Sequence, residues 1–127
     1  MARHLPIEDY DGVCVVGGDG SLHEVANGLM AREGSASVPL GLIPGGAGNT
    51  VAQQLGCLDP VLAAQRILAG QPRPLDLALV TCGGGTTFCI NIVDWGAAVD
   101  ISQTAERLRW LGSSRYTLSA LLTRTAG

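Results

Sequence analysis

The segment that most constrains the fold runs from Gly12 to Leu29. An apolar run, Gly12 to Val16, stops abruptly at Gly17-Gly18-Asp19-Gly20. Apolar residues then recur at Leu22, Val25, Ala26 and Leu29, the i, i+3, i+4, i+7 spacing of one helix face. The pattern predicts a strand, a tight turn and a helix, with one carboxylate held at the turn. Glycines at 17, 18 and 20 let a ligand's oxygens approach the backbone, because no Cβ stands in the way. The first amides of the helix point into the same space and favour an anion there.

A turn built only to hold phosphate would not place a carboxylate beside it, because like charges at contact distance repel strongly in a partly dry site. Asp19 is useful there if a cation lies between, or if it takes the proton of a hydroxyl attacking phosphorus. The plain alternative is a carboxylate that only stabilises the turn. Gly18-Asp19-Gly20-Ser21-Leu22-His23 matches two of the three glycines of the dinucleotide fingerprint, with His23 in the third place. The chain contains no lysine, which excludes both a Walker A loop and the lysine of protein kinases.

A second unit of the same kind follows. Pro39 to Ile43 is a short apolar strand, Pro44-Gly45-Gly46-Ala47-Gly48-Asn49 a glycine-rich loop, and Val51 to Leu55 the start of a helix. Consecutive free amides in such a loop form an anion-binding nest. Two such loops point to a crevice at the carboxyl edge of a parallel sheet; two simple strand-to-helix turns are the alternative.

At 127 residues the chain is long enough for one core. Its net charge of −3 and lack of a basic stripe argue against nucleic acid as a partner. No run reaches the roughly 18 apolar residues of a membrane span. Cys14, Cys57, Cys82 and Cys89 form no C-x-x-C pair and lie in or beside apolar runs, which reads as buried reduced thiols in a cytoplasmic chain.

The first helix is expected to follow Ser21 and run to about Arg32. Ser21 and Glu24 fit a capping box, so Glu24 either closes that box or serves a ligand. His23 lacks partners at metal spacing and reads as structural. Asp59-Pro60 opens another helix that Gly70 closes, with Val61, Leu62, Ala64, Ile67 and Leu68 as its core face. Leu75 to Cys82, Gly83-Gly84-Gly85 and Thr86 to Val93 form a β-hairpin, with Asp76 a surface carboxylate. An amphipathic segment, Thr117 to Thr123, closes the chain. Arg107, Arg109, Arg115 and Arg124, half of the arginines, gather near that end; on a helix Arg107 and Arg109 would not share a face.

Three blocks then resemble one family. Gly17-Gly18-Asp19-Gly20 with His23-Glu24-Val25 and Asn27-Gly28-Leu29, followed by Pro44-Gly45-Gly46-Ala47-Gly48-Asn49, is similar to the diacylglycerol-kinase-like catalytic domain of lipid kinases. The third block, Trp95-Gly96 through Asp100 to Arg109-Trp110-Leu111-Gly112-Ser113-Ser114-Arg115-Tyr116, resembles the sphingosine-kinase and ceramide-kinase branch. Sphingosine kinases carry a second acid where this chain has Ser102, and Asp94 stands where the family has an apolar or small residue.

The resemblance implies an α/β fold: a Rossmann-like parallel sheet with helices, as in the lipid-kinase and NAD-kinase-like fold. A β-hairpin and a C-terminal helical segment would lead to a β-sandwich domain beyond Gly127. Residues 1–127 would be a partial catalytic domain, with the nucleotide-binding half at 1–74 and the start of the lipid-binding region at 75–127. It further implies ATP-dependent phosphorylation, with Mg2+, of the primary hydroxyl of a sphingoid lipid, either a long-chain base or ceramide, at a membrane surface. Carried over by position, Asp19 would be the base. Gly18, Gly20, Glu24, Gly46, Ala47, Gly48, Arg109 and Arg115 would serve ATP, and Asp100 and Ser102 would lie at the lipid headgroup. No protein metal ligand is assigned. Asp19→Asn would then abolish turnover and leave nucleotide affinity nearly intact. The alternatives are a catalytically incomplete nucleotide-binding fragment, a diacylglycerol kinase, and NAD kinase, which shares the Gly-Gly-Asp-Gly turn.

Overall fold

The computed structural model describes residues 4, 6–32, 38–93, 105 and 107. The chain divides into two compact units, Met1–Asn91 and Ile92–Gly127. In the first, the element order is β1 (Val13–Gly17), α1 (Asp19–Met30), β2 (Leu40–Pro44), α2 (Thr50–Gln54), α3 (Pro60–Leu68), β3 (Ala78–Cys82) and β4 (Gly85–Cys89). Of the second unit's described residues, Ala105 is buried and Arg107 exposed, both helical.

β1 and β2 pair in parallel, from Val13 opposite Leu40 to Gly17 opposite Pro44. Parallel neighbours need a crossover, and α1 lies within it. The period of two along each strand decides which helix covers which face. Val15 is buried with Leu22 of α1 and Val51 of α2, and Leu40, Leu42, Val25 and Ile90 pack around them. On the opposite face Ile67 of α3 stands over Gly41: a Cβ added at Gly41 would lie 2.8 Å from Ile67 Cδ1. Helices thus lie on both faces of the strand pair, with α3 covering β2 and leaving Cys14 and Val16 of β1 exposed.

Several expectations shift. α1 begins at Asp19 rather than after Ser21, with Gly18 as its N-cap and no capping side chain. Ser21 is therefore the third residue of the helix and no capping box forms. α1 ends at Met30, and Arg32 beyond it pairs with the exposed Glu8 at 2.7 Å. α3 opens as expected: Asp59 Oδ1 accepts the amides of Val61 and Leu62 at 2.8 and 2.9 Å, and Gly70 follows the helix at φ 63°. Its inward face differs, with Ala63 buried, Ala64 and Ile67 half-buried, and Val61, Leu62 and Leu68 exposed. Gly41 lets Ile67 of α3 approach β2 closely, while Val61, Leu62 and Leu68 are turned outward. Arg66 Nη1 donates to the carbonyls of Leu55 and Gly56, tying α3 to the end of α2.

β3 and β4 form the expected antiparallel hairpin, shorter than its apolar pattern at both outer ends. Gly83 and Gly84, at φ 58° and 80°, make the two-residue turn with both φ values positive that matches strand twist. Asp76 is exposed just before β3. The cysteines depart from a uniform buried set: Cys57 is buried, Cys89 half-buried, and Cys14 and Cys82 exposed, all as free thiols. Cys14 alternates away from Val15, onto the face where α3 covers Gly41 but not β1. No helix among the described residues is long and apolar enough to cross a membrane.

Residues 33–37, Asp94, Trp95, Asp100, Ser102, Arg109, Trp110, Arg115, Tyr116 and the segment Thr117 to Thr123 lie outside the described residues.

Candidate functional site

The two glycine loops meet where the parallel strands end. The ladder continues one step past the strands, with the Gly45 amide donating to the Gly17 carbonyl at 2.9 Å. Gly18 and Gly46 then touch backbone to backbone: a Cβ on Gly18 would lie 2.9 Å from Gly46 Cα, and one on Gly46 would overlap Gly18 Cα outright. These glycines are required by contact between loops, not by unusual dihedrals. Gly20 is different. Nothing lies within 4 Å of a Cβ placed there, so packing does not demand a glycine.

Asn49 shapes the second loop. It adopts the left-handed conformation, φ 52° and ψ 40°, which Asn tolerates better than most residues. Its Oδ1 accepts the Gly46 amide at 2.9 Å, and its Nδ2 donates to the Gly46 carbonyl at 2.6 Å. One side chain thereby closes the loop on itself. The amide of Gly46 is consumed in this ring, whereas those of Ala47 and Gly48 have no acceptor among the described residues.

Asp19, the first residue of α1, reaches across to α2. Its Oδ2 accepts the Thr50 amide at 2.9 Å and its Oδ1 the Val51 amide at 3.0 Å. The carboxylate therefore sits at two helix N-termini, one its own and one capped from 31 residues away, and both favour its negative charge. Gly48 borders it closely; a Cβ there would stand 3.2 Å from Asp19 Oδ2. Asp19 is half-buried, and each oxygen keeps a second lone pair.

Glu24 does not join this group. Five residues along α1 place it about 140° around the helix from Asp19, and it is exposed. The structure thus brings together Asp19, Gly18, Gly46 and Gly48, with Ala47 and Gly20 exposed alongside, and leaves Glu24 apart. Asp100, Ser102, Arg109 and Arg115 fall outside the described residues. Among the described residues no three His, Cys, Asp or Glu side chains are grouped to hold a metal ion.

One side chain that sequence reasoning noted only as part of a motif proves central. The Asn27 carboxamide pairs with the backbone of Phe88 in β4: Nδ2 donates to its carbonyl at 2.7 Å and Oδ1 accepts its amide at 2.8 Å. Oδ1 also accepts the Thr87 hydroxyl, and Nδ2 also donates to the His23 carbonyl. Asn at an interior helix position, where its intrinsic preference is low, is the available signal. β4 leads on toward the N-terminal end of α1, since Phe88 meets Asn27 and Ile90 packs with Leu22 and Val51.

Comparison with known proteins agrees with this geometry. Residues 1–80 match the diacylglycerol kinase catalytic domain. The chain is 38% identical to human sphingosine kinase 2 over 96% of its length, covering 21% of that protein. It is 35% identical to Arabidopsis thaliana sphingosine kinase 1 over 95% of its length, covering 27% of that relative. Human ceramide kinase is 31% identical over 94% of the chain, which covers 25% of it. The chain therefore spans about a quarter of the length of these relatives. Paired glycine loops, a carboxylate between them and a match across most of the first unit have one common reading: the chain belongs to the diacylglycerol kinase catalytic domain family.

Proposed function

We propose that this chain carries the nucleotide-binding part of a lipid kinase that moves the γ-phosphate of ATP to the primary hydroxyl of a sphingoid lipid. The observation that carries this reading is the placement of the Asp19 carboxylate against Gly48, whose amide, like that of Ala47, has no acceptor among the described residues. Amides without acceptors at the end of a parallel sheet suit phosphate oxygens. A carboxylate next to them suits the hydroxyl that attacks the phosphorus.

In this mechanism Ala47 and Gly48 bind phosphate oxygens, Gly18 lets the two loops close on each other, and Gly20 leaves room for the reacting groups. Asp19 accepts the hydroxyl proton as the lipid oxygen bonds to the γ-phosphorus and the bond to the β-phosphate oxygen breaks, releasing ADP. Each Asp19 oxygen has a lone pair left for that proton after its amide bond. Magnesium would supply charge neutralisation on the phosphates, and no described side chain is assigned to hold it. Asp100 and Ser102 are proposed at the lipid headgroup, and Arg109 and Arg115 at the phosphates, where the guanidinium fork matches phosphate geometry. The sphingoid assignment, long-chain base or ceramide, rests on likeness to relatives bearing those names. The cytoplasm, at a membrane surface, is the matching location.

The test is transfer of labelled phosphate from ATP to sphingosine, ceramide and diacylglycerol. The proteins are this chain and human sphingosine kinase 2 in which this chain replaces the matching segment. Phosphorylated sphingosine or ceramide from the chimera, lost on Asp19→Asn, is the expected result. A folded chimera that phosphorylates none of the three counts against the proposal.

A further inference from the structure

A five-residue helix is too short to persist without outside support, and its first-turn amides need acceptors. In α2 the residue placed to cap, Asn49, gives no cap because its side chain is turned back onto Gly46. Asp19 serves in its place, with one oxygen on Thr50 and the other on Val51. The loop between the sheet and α2 is thus fixed at three points. Gly45 is held by the Gly17 carbonyl, the interior is closed by Asn49, and the far end is pinned by Asp19.

We propose that Asp19 is also the positioning residue of the nucleotide loop: its carboxylate latches α2 and so holds Ala47 and Gly48 in the shape that receives phosphate. This rests on the nucleotide reading of that loop. It differs from proton transfer, because it acts before any lipid binds and through the Thr50 and Val51 amides alone. An asparagine in the same geometry keeps only half of the latch. Each Asp19 oxygen accepts a different amide, so Asn would retain one bond and set its NH2 against the other N–H, donor against donor. Asp19→Asn therefore weakens nucleotide binding as well as turnover, contrary to what a pure base would show.

The test combines amide hydrogen exchange with ATP affinity on the 127-residue chain, comparing the parent with Asp19→Asn and Asp19→Ser. The serine hydroxyl is too short to reach α2 and provides a second variant if the first does not fold. The expected result is exchange at Thr50 and Val51 about tenfold faster, with parent rates kept at Val15 and Leu42, and ATP affinity lower by about tenfold. Parent exchange rates at Thr50 and Val51 would overturn the latch, as would faster exchange with unchanged ATP affinity. Loss of the whole fold in both variants would make Asp19 a global rather than a local support and overturn it too. Failure of the kinase reading is distinguishable. A parent chain that binds no ATP refutes both proposals. In the chimera, variants that bind ATP weakly yet keep the parent kcat refute the base and spare the latch.

Discussion

Asn27 and Phe88 pair as two adjacent strands would, amide against carbonyl in both directions, although one of the partners is a side chain on a helix. The pairing supplies β4 with a neighbour on the side away from β3 and fixes its register along α1. Asn27→Ala strips both partners from a partly buried backbone and leaves the Thr87 hydroxyl without its acceptor. We expect a loss of about 1–3 kcal/mol in urea unfolding. Asn27→Asp preserves shape but sets a carboxylate oxygen against the carbonyls of Phe88 and His23, so it should cost at least as much as alanine. An Asn27→Ala midpoint equal to the parent's would show that the clamp contributes nothing.

The glycines of the two loops separate by the same kind of measurement. Gly46→Ala forces a methyl into the Gly18 backbone, where neither side is a flexible group, and overpacking of this kind costs about 1–3 kcal/mol. Gly20→Ala meets open space inside α1 and replaces a poor helix former with the best one. It should be neutral or stabilising by up to about 1 kcal/mol. If Gly20→Ala is stable yet lowers phosphate transfer in the chimera, the glycine serves ligand approach. A destabilised Gly20→Ala would contradict the packing described here.

These contrasts mark what the sequence makes legible. The first strand, turn and helix are readable because the apolar run from Gly12 to Val16 gives way to the helical spacing of Leu22, Val25, Ala26 and Leu29 at a glycine cluster. The parallel pairing and the meeting of the two loops follow from the repeated strand, glycine loop and helix order. Ser21 and Glu24 mislead, because Asp19 enters the helix and spends its carboxylate on α2, so the helix starts before the apparent box. The α3 face misleads for another reason. The expected face takes in Val61, Leu62 and Leu68 with Ala64 and Ile67, but Gly41 draws Ile67 inward, Ala63 is the buried residue, and those three large side chains stay exposed. The Asn27 clamp is invisible locally, since its partner lies 61 residues away and offers only backbone atoms.

Asp59 gives a prediction that was readable from sequence alone. Its single Oδ1 accepts two first-turn amides of α3, and Pro60 occupies the position where a missing N–H costs nothing. Asp59→Ala should destabilise the chain by about 0.5–2 kcal/mol, and Asp59→Ser should recover most of that. Thermal unfolding of the three proteins decides it. Equal loss in the serine and alanine variants would mean that capping is not what Asp59 contributes.

Gly41 and Ile67 provide the test of the layering itself. A methyl at Gly41 would lie 2.8 Å from Ile67 Cδ1 and 3.0 Å from Cγ1, so Gly41→Ala must push α3 outward or turn Ile67 from its rotamer. Ile67→Ala removes the obstruction but leaves a void against β2. Each change alone should destabilise, the first by about 1–3 kcal/mol through overpacking. The second should cost toward the low end of about 2–5 kcal/mol, because Ile67 is only partly buried. Together the new methyl occupies part of the space that the isoleucine vacates. The double variant should therefore be more stable than the sum of the singles by about 0.5–3 kcal/mol, the range seen for residues in direct contact. Strict additivity in the cycle would mean that α3 does not pack against Gly41, and that the face opposite Val15 is covered by something else.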